Sequence, residues 1–302
     1  MLRRLAGIIR EGILMNPKNP IFIVSKGRFE SRLTSRALEA MNVPYYIVVE
    51  SQEFNDYAKV IDHKKILVLP DRYLDEYDTC DDLGDSISKG PGSARNFCWD
   101  YSIKLGADKH WALDDNMDYF FRLNKNTKIP VASGTIFRCA EDFVDRYENV
   151  SISGFNYDKF CKCRESYPPF YLNTRIYSCL LIKNSIPYRW RCRYNEDTDL
   201  CLRVLKDGFC TILFNAFLCG KLTTQTISGG NTKEFYEREG TYNKSKMLAD
   251  LHPDAACVVK KFHRWHHHVD YSGFKKNILV RRSDAVVPKC VDNYDMELVS
   301  RE

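Results

Sequence analysis

The chain has 302 residues, of which 44% are hydrophobic and 28% charged, and its net charge is +5. These values are ordinary for a folded globular protein and leave room for one large α/β domain or two small ones. The longest apolar stretch, at 211–220, is too short and too polar to span a bilayer, and residues 1–15 carry no secretory signal. Twelve cysteines without regular spacing are typical of reduced thiols, so we expect a cytoplasmic protein with no membrane partner.

Short apolar runs alternate with helical patterns in the first half of the chain. An extension at 1–19 ends in a Pro- and Asn-rich stretch that cannot continue a helix. The elements predicted after it are strands at 21–24, 45–50, 65–70 and 109–116, a helix at 31–41, and a helix from Ser93 to Gly106. Polar residues follow the strands at their C-terminal ends. This order predicts a largely parallel α/β sheet whose site lies at the carboxyl edge.

The second half of the chain is more mixed. It contains predicted helices at 137–147, 195–208 and 233–250, and predicted strands at 150–155, 176–182 and 211–219. Pro253 is placed to begin one more helix. We therefore expect a catalytic domain at 20–225 and a helical, basic segment at 226–302.

Positive charge is concentrated near the C-terminus. Residues 255–282 hold seven Lys or Arg against the single acid Asp270, together with four histidines. Cations neutralise phosphates and aromatic faces stack on bases, so this segment suits a nucleic-acid partner, although a solvated surface explains it equally well. The candidate acceptor-binding residues are Lys260, Lys261, Trp265, His266, His267, Lys275 and Lys276. Since consecutive residues of a strand or helix do not share a face, at least two of His266, His267 and His268 should point to solvent or phosphate.

The strongest chemical signal is Asp114-Asp115-Asn116, directly after the apolar run at 111–113. Acidic residues at the end of a buried strand lie at the carboxyl edge of a sheet, where their oxygens can hold a hard divalent cation. An Asx-rich turn would give the same pattern without any metal.

A second acidic pair, Glu196-Asp197, opens a predicted helix. Helix capping is the simple explanation, because the helix dipole stabilises acids at this end. If the pair faces the same sheet edge as Asp114, one of its carboxylates can serve as a general base.

Two polar loops could hold phosphates. The stretch KGPGSARN at 89–96 leads into a helix, whose N-terminal amides bind anions, and it carries Lys89 and Arg95. SKGR at 25–28 is a similar loop after the first strand. Neither is a standard nucleotide-binding motif, so each signal is weak alone.

In this order, the motifs resemble the GT-A fold of nucleotide-sugar glycosyltransferases, with Asp114-Asp115-Asn116 similar to its metal motif and Asn195-Glu196-Asp197 to its catalytic-base motif. A closer resemblance is to phage TET-associated glycosyltransferases, which modify hydroxymethylated pyrimidines in DNA. It spans roughly residues 20–280 and rests on the stretches PIFIVSKGR, GPGSARN, WALDDN, YNEDTDLCLRVLKDG, GGN at 229–231, and HHHVDY.

The resemblance implies an activity and a set of roles. A hexose or pentose would move from a UDP-sugar to 5-hydroxymethylpyrimidine, 5-hydroxymethylcytosine above all, in double-stranded phage DNA. Asp197 would be the catalytic base, with Glu196 beside it, and Mn²⁺ or Mg²⁺ would be held by Asp114, Asp115 and Asn116. The donor would be bound by Ser25, Arg28, Glu50, Lys89, Arg95, Asn96 and Asp114. An asparagine at the third metal position would leave the cation with fewer charges.

Other functions remain open from the sequence. The main alternative is a GT-A glycosyltransferase that acts on a protein or a polysaccharide. A nucleotidyltransferase would need a second acidic strand, and a non-catalytic nucleic-acid-binding module would leave both acidic motifs unexplained. The sugar, the modified base, the stereochemical outcome and the oligomeric state are not set by the sequence.

Overall fold

A computed structural model describes residues 15–84, 88–124, 126–162, 168–222, 241–261 and 263–286. The strands in these ranges are β1 Ile21–Val24, β2 Tyr46–Val49, β3 Ile66–Val68, β4 Lys109–Asp114, β5 Met117–Asn124, β6 Thr127–Pro130, β7 Val150–Tyr157, β8 Phe170–Leu172, β9 Cys179–Lys183, β10 Cys210–Lys221, β11 Ala256–Lys261 and β12 Arg264–Val269. The helices are α1 Leu33–Ala40, α2 Phe54–Ala58, α3 Asp71–Asp75, α4 Gly92–Lys104, α5 Thr135–Val144, α6 Glu196–Lys206 and α7 Tyr242–Leu251.

Strands β1 to β10 form one sheet in the order β3-β2-β1-β4-β9-β7-β10-β5-β6, with β8 paired to β10. The four strands β3, β2, β1 and β4 are mutually parallel. Their carboxyl ends therefore lie along one edge, where Ser25, Glu50 and Asp114 follow or end a strand. The α/β fold with a helix-flanked sheet, expected from the sequence, is confirmed.

Strand β10 joins the two halves of the sheet. It runs parallel to β7 and antiparallel to β5 and β8, with register shifts near residues 210–218 and at Gly220. Its last residue, Lys221, pairs with Met117, which follows the acidic motif directly. The strand thus delivers a lysine to the carboxyl edge of β4.

The core beneath β4 is aromatic. The Trp111 ring lies 5.0 Å from Phe137 and 5.1 Å from Phe155, centroid to centroid, and its indole donates to Glu141 at 2.9 Å. The same carboxylate accepts from the backbone amides of Lys18 and Asn19 at 2.6 and 3.1 Å. The last residues of the expected 1–19 extension are therefore tied to α5, while residues 1–14 lie outside the described ranges.

The expectation of a helical C-terminal segment is wrong for residues 256–269. Helix α7 lies at the end of the predicted 233–250 helix, but no helix begins at Pro253 within the described residues; β11 and β12 form an antiparallel hairpin there. Val258, Val259 and Val269 are β-branched and favour the strand. Residues 226–240 and 287–302 of the expected segment lie outside the described ranges.

No helix in the described part of the chain is long and apolar enough to cross a bilayer. Within the same ranges, none of the cysteines forms a disulfide bond.

Candidate active site

A cavity of about 890 Å³ lies over the carboxyl edge of β1, β2 and β4. Ser25, Arg28 and Glu50 line it from the first strands, and the acidic motifs at 114–116 and 196–197 line it from β4 and α6. Among the described lining residues, eight lysines and arginines face six carboxylates. That excess of positive charge suits an anionic ligand.

Asp114 is the centre of an ion-pair cluster. Its Oδ1 accepts from Arg95 at 2.7 Å, and its Oδ2 accepts from Lys221 Nζ at 2.7 Å and from Ser178 Oγ at 2.6 Å. Although burial opposes ionisation, Lys221 and Arg95 hold the pKa of Asp114 well below its usual range. Asp114 is therefore a fixed negative charge at the end of β4.

Asp115 points to the other side of the motif. Its carboxylate accepts from the Arg28 guanidinium and, at 2.7 Å, from Ser25 Oγ. Ser25 also shares a 2.6 Å hydrogen bond with the Tyr57 hydroxyl. Burial raises the pKa of Asp115 despite Arg28 and Ser25. The predicted donor residues Ser25 and Arg28 are thus brought to the acidic motif.

Asn116 completes the motif in a different way. The residue is 7% exposed, and its side-chain Oδ1 has no hydrogen-bond partner among the described residues. A buried carbonyl oxygen without a partner is costly unless a ligand satisfies it. The structure therefore leaves an unpartnered oxygen on the residue that follows the two carboxylates in sequence.

Arg95 connects the two acidic motifs. It projects from the first turn of α4, donates to Asp114 and, at 2.8 Å, to Glu196 Oε1, and its guanidinium lies 4.7 Å over the Trp190 ring. The side chain is 2% exposed. Arg95, which we predicted to contact the diphosphate, lines the cavity and also fixes the start of α6 against the end of β4.

Asp197 follows Glu196 and is only partly buried. Its Oδ1 accepts from the backbone amide of Thr198 at 2.7 Å. Burial, reinforced by the neighbouring Glu196 carboxylate, raises the pKa of Asp197 to about 7. A carboxylate that titrates near neutral pH and faces a cavity is suited to accept a proton.

The other predicted donor residues divide into two groups. Glu50 and Lys89 line the cavity; Glu50 pairs with Lys26 at 2.9 Å, and Lys89 donates to the Leu74 carbonyl at 2.7 Å. Asn96 does not line it, and both ends of its side-chain amide bond the Trp190 backbone at 2.9 Å. The side chain of Asn96 therefore positions Trp190 and does not line the cavity.

The sequence did not reveal Lys221. Burial lowers its pKa and Asp114 raises it, and the second effect wins, so Lys221 is a permanent cation. A lysine at the end of an apolar strand, LFNAFLCGK, was the available signal. Other cavity residues found only in the structure are Tyr157, Arg175, Tyr177, Ser178, Arg193 and Lys244.

The hairpin divides the predicted acceptor residues between two faces. Cross-strand pairing places Lys260 beside Trp265 and Val258 beside His267 on the face toward α7. His267 lines the cavity, where burial and then Lys244 and Arg175 lower its pKa to about 4.

Lys261, Arg264, His266 and His268 lie on the opposite face of the hairpin and are exposed. Because His266 and His268 are exposed, the expectation that at least two of the three consecutive histidines point to solvent or phosphate is confirmed. Lys275 and Lys276 are exposed just beyond the hairpin.

Residues 19–230 match the sequence profile of the family described as TET-Associated Glycosyltransferase. The match covers more than half of the chain. The chain belongs to this family of glycosyltransferases. The resemblance inferred from the motifs is confirmed, and no curated protein matches the chain.

Among solved structures, this glycosyltransferase is similar to the mannose-1-phosphate geranyltransferase from Thermus thermophilus, with 11% identity and a TM-score of 0.30. The match covers 68% of this chain and 57% of that chain, so the glycosyltransferase spans little more than half of the other protein's length.

Proposed function

We propose that the protein transfers a sugar from a UDP-sugar to the hydroxymethyl group of a modified pyrimidine in double-stranded phage DNA. The acceptor base we expect is 5-hydroxymethylcytosine. The observation that carries the reaction type is the meeting of two acidic motifs, bridged by Arg95, beneath a cavity with excess positive charge. Both substrates are cytoplasmic molecules, in keeping with the location expected from the sequence.

Asp197 is the general base of the proposed reaction. It takes the proton of the acceptor hydroxyl as the oxygen bonds to the anomeric carbon, and the bond from that carbon to the diphosphate breaks with its electron pair on the leaving oxygen. Its pKa of about 7 matches proton transfer near neutral pH. A base on the acceptor side favours inversion at the anomeric carbon.

The donor lies over the carboxyl edge of the parallel strands. Ser25, Arg28 and Glu50 face the nucleoside, while Lys89 and Lys221 supply positive charge to the diphosphate. Fixed cations stabilise the charge that develops on the leaving group without reorganising. Arg95 bonds Glu196 and Asp114, and so holds the start of α6, where the base Asp197 lies, against the end of β4.

The acidic motif also offers the oxygen ligands that a hard cation prefers, because Asp114, Asp115 and Asn116 all line the cavity and the Asn116 Oδ1 atom has no hydrogen-bond partner among the described residues. Mn²⁺ or Mg²⁺ held by these three residues would neutralise the departing diphosphate. In the described ranges, no cluster of three His, Cys, Asp or Glu residues forms a metal site, and both carboxylates are already paired with cations. The proposed metal site therefore depends on the Asn116 oxygen. We expect EDTA to abolish transfer and Mn²⁺ to restore it. Transfer that resists EDTA would assign the neutralisation of the diphosphate charge to Lys221 and the arginines.

The exposed face of the hairpin, together with Lys275 and Lys276, binds the DNA backbone in this proposal. Lys261 and Arg264, with His266 and His268 beside them, lie on the exposed face of the hairpin, opposite the face from which His267 reaches the cavity. Phosphate contacts position a duplex without reading its sequence.

The direct test measures transfer of radiolabelled sugar from UDP-sugars to duplex DNA containing 5-hydroxymethylcytosine. Unmodified DNA, a protein mixture and a polysaccharide serve as parallel acceptors. We expect label in the modified DNA alone. Label in the protein or the polysaccharide, with none in DNA, would contradict the proposal and favour the alternative acceptor class.

A further inference from the structure

A second cavity, the side pocket, adjoins the main one. It has a volume of about 320 Å³ and is lined chiefly by Tyr157, Phe160, Tyr171, Thr174, Arg175 and Tyr177. Four of these residues, Tyr157, Phe160, Arg175 and Tyr177, also line the main cavity. The two spaces therefore share a wall.

The side pocket is built from aromatic faces. The rings of Tyr157 and Tyr177 lie 6.4 Å apart with an angle of 22° between their planes, and Phe160 lies 5.5 Å from Tyr157. Phe160 and Tyr171 are 54% and 41% exposed. Large aromatic side chains left in contact with water around a cavity mark a surface that a flat ligand can cover.

Hydrogen bonds connect the Tyr157 and Tyr177 rings to the two acidic motifs. The Tyr157 hydroxyl bonds Ser178 Oγ at 2.7 Å, and Ser178 donates to Asp114. The Tyr177 hydroxyl bonds the Thr198 side chain, which is next to Asp197 in sequence. A ligand in the side pocket would thus lie beside the proposed base and the acidic motif.

The charges around the pocket favour a nucleotide. The Arg175 guanidinium lies 5.1 Å over the Tyr177 ring at the junction of the two cavities, and the Lys159 ammonium lies 5.4 Å over the Tyr157 ring. Both can meet a phosphate next to a stacked base. Aromatic side chains accept the faces of unstacked bases, and cations beside them hold the backbone.

We propose that the side pocket receives the acceptor pyrimidine after it turns out of the duplex. The base stacks on the aromatic side chains of the side pocket. Its hydroxymethyl group points toward Asp197, which lines the adjoining main cavity. Enzymes that act on a base must take it out of the helix, because duplex stacking hides it. This inference rests on the proposed function and adds the binding site for the base.

Two tryptophans elsewhere in the chain fit this role poorly. Trp190 is 2% exposed and lies under Arg95, and Trp265 packs edge-on against Tyr242. Neither lines the main cavity or the side pocket.

The test compares Phe160→Ala and Tyr171→Ala with Tyr119→Ala. Tyr119 is a surface aromatic of β5, 61% exposed, and lines neither cavity. We expect each pocket variant to raise the KM for duplex DNA by about tenfold or more, the scale of losing one base–aromatic stack. The KM for the UDP-sugar and the KM for DNA in Tyr119→Ala should stay at wild-type values.

A second readout reports the base directly. The probe is a duplex with 2-aminopurine beside the 5-hydroxymethylcytosine, whose fluorescence rises when its neighbour leaves the stack. Wild-type protein and Tyr119→Ala should increase the signal, and the pocket variants should increase it less. A duplex with an abasic site opposite the target, which is easier to unstack, should restore part of the lost DNA affinity.

The outcomes separate this inference from the proposed function. If the wild type modifies no hydroxymethylated DNA, the proposed function fails. If the wild type modifies DNA while the pocket variants match Tyr119→Ala in both readouts, the base lies elsewhere and the inference is overturned. A rise in the UDP-sugar KM alone would assign the pocket to the donor and would also overturn it.

Discussion

The carboxyl edge of the sheet and the β11–β12 hairpin differ in how their charged side chains are paired. At the edge, Asp114, Arg95 and Glu196 are joined in one buried network, in which each charge has a fixed partner. On the hairpin, Lys261, Arg264 and His266 are exposed side by side. Chemistry at a bond requires preorganised groups, whereas a polyanion can be held by interchangeable cations. Single substitutions should therefore be severe at the edge and mild on the hairpin.

The largest effect should come from Asp197→Asn. Asparagine keeps the shape but cannot accept the proton, so kcat should fall by about 10²–10⁴-fold while the UDP-sugar still binds. Because the base works only when deprotonated, the wild-type rate should fall as the pH drops through about 7, the raised pKa of Asp197. The residual rate of the variant should lack this dependence. Steady-state kinetics and pH profiles check both points.

Asp207→Asn is the matched control for that substitution. Asp207 lies at the other end of α6 and bonds the Tyr188 hydroxyl at the surface, away from the cavity. Its kcat should match the wild type. A kcat of Asp197→Asn within about threefold of wild type, which corresponds to roughly 0.65 kcal/mol, would move the base to another residue, with Glu196 next in line.

Asp114→Ala should have the next largest effect. It leaves Lys221 and Arg95 without their shared partner and removes a preorganised charge, so kcat/KM should fall by the equivalent of about 2.7 kcal/mol or more. Asp108→Ala, at the exposed opposite end of β4, is the control. Transfer assays and circular dichroism together separate lost chemistry from lost folding. Normal turnover in a folded Asp114→Ala protein would remove this residue from the mechanism.

The smallest effect should follow deletion of residues 1–14. The proline-rich stretch separates them from β1, so the melting temperature should change by less than about 5 °C. Glu141→Ala is the contrast, since it leaves Trp111 and the amides of Lys18 and Asn19 without their acceptor and should cost about 1–3 kcal/mol. Thermal unfolding measures both. A larger loss from the deletion would show that the segment packs on the core.

Local patterns predicted much of the parallel half of the fold. The strands at 21–24, 46–49 and 66–68 are short apolar runs, and the polar residues that follow the first two lie at the carboxyl edge of the sheet, as predicted. Asp114 and Glu196 meet in space because each begins or ends an element at that edge. Sequence periodicity was sufficient for this part.

Contacts between residues far apart in the sequence could not be predicted from these local patterns. Lys221 is 107 residues from Asp114, and its role depends on the register of β10 against β5. Asn96 belongs to the Gly-rich stretch at 89–96, which predicts phosphate ligands, but its side-chain amide bonds the backbone of Trp190, 94 residues away. The hairpin was mistaken for a helix because Pro253 suits a helix start, while the pairing of β11 with β12 decided the outcome.

One fourfold variant tests most directly the proposed division between catalysis at the carboxyl edge of the sheet and DNA binding by the hairpin. Lys260, Lys261, Lys275 and Lys276 are changed together to Ala, and Lys59, Lys64, Lys65 and Lys104, which lie away from the cavity, form the charge-matched control. The KM for DNA and the KM for the UDP-sugar are measured over a range of salt concentrations. We predict weaker binding to modified and unmodified DNA alike, a salt slope smaller by up to about 3–4, and an unchanged UDP-sugar KM. A raised UDP-sugar KM with an unchanged DNA KM would contradict the account.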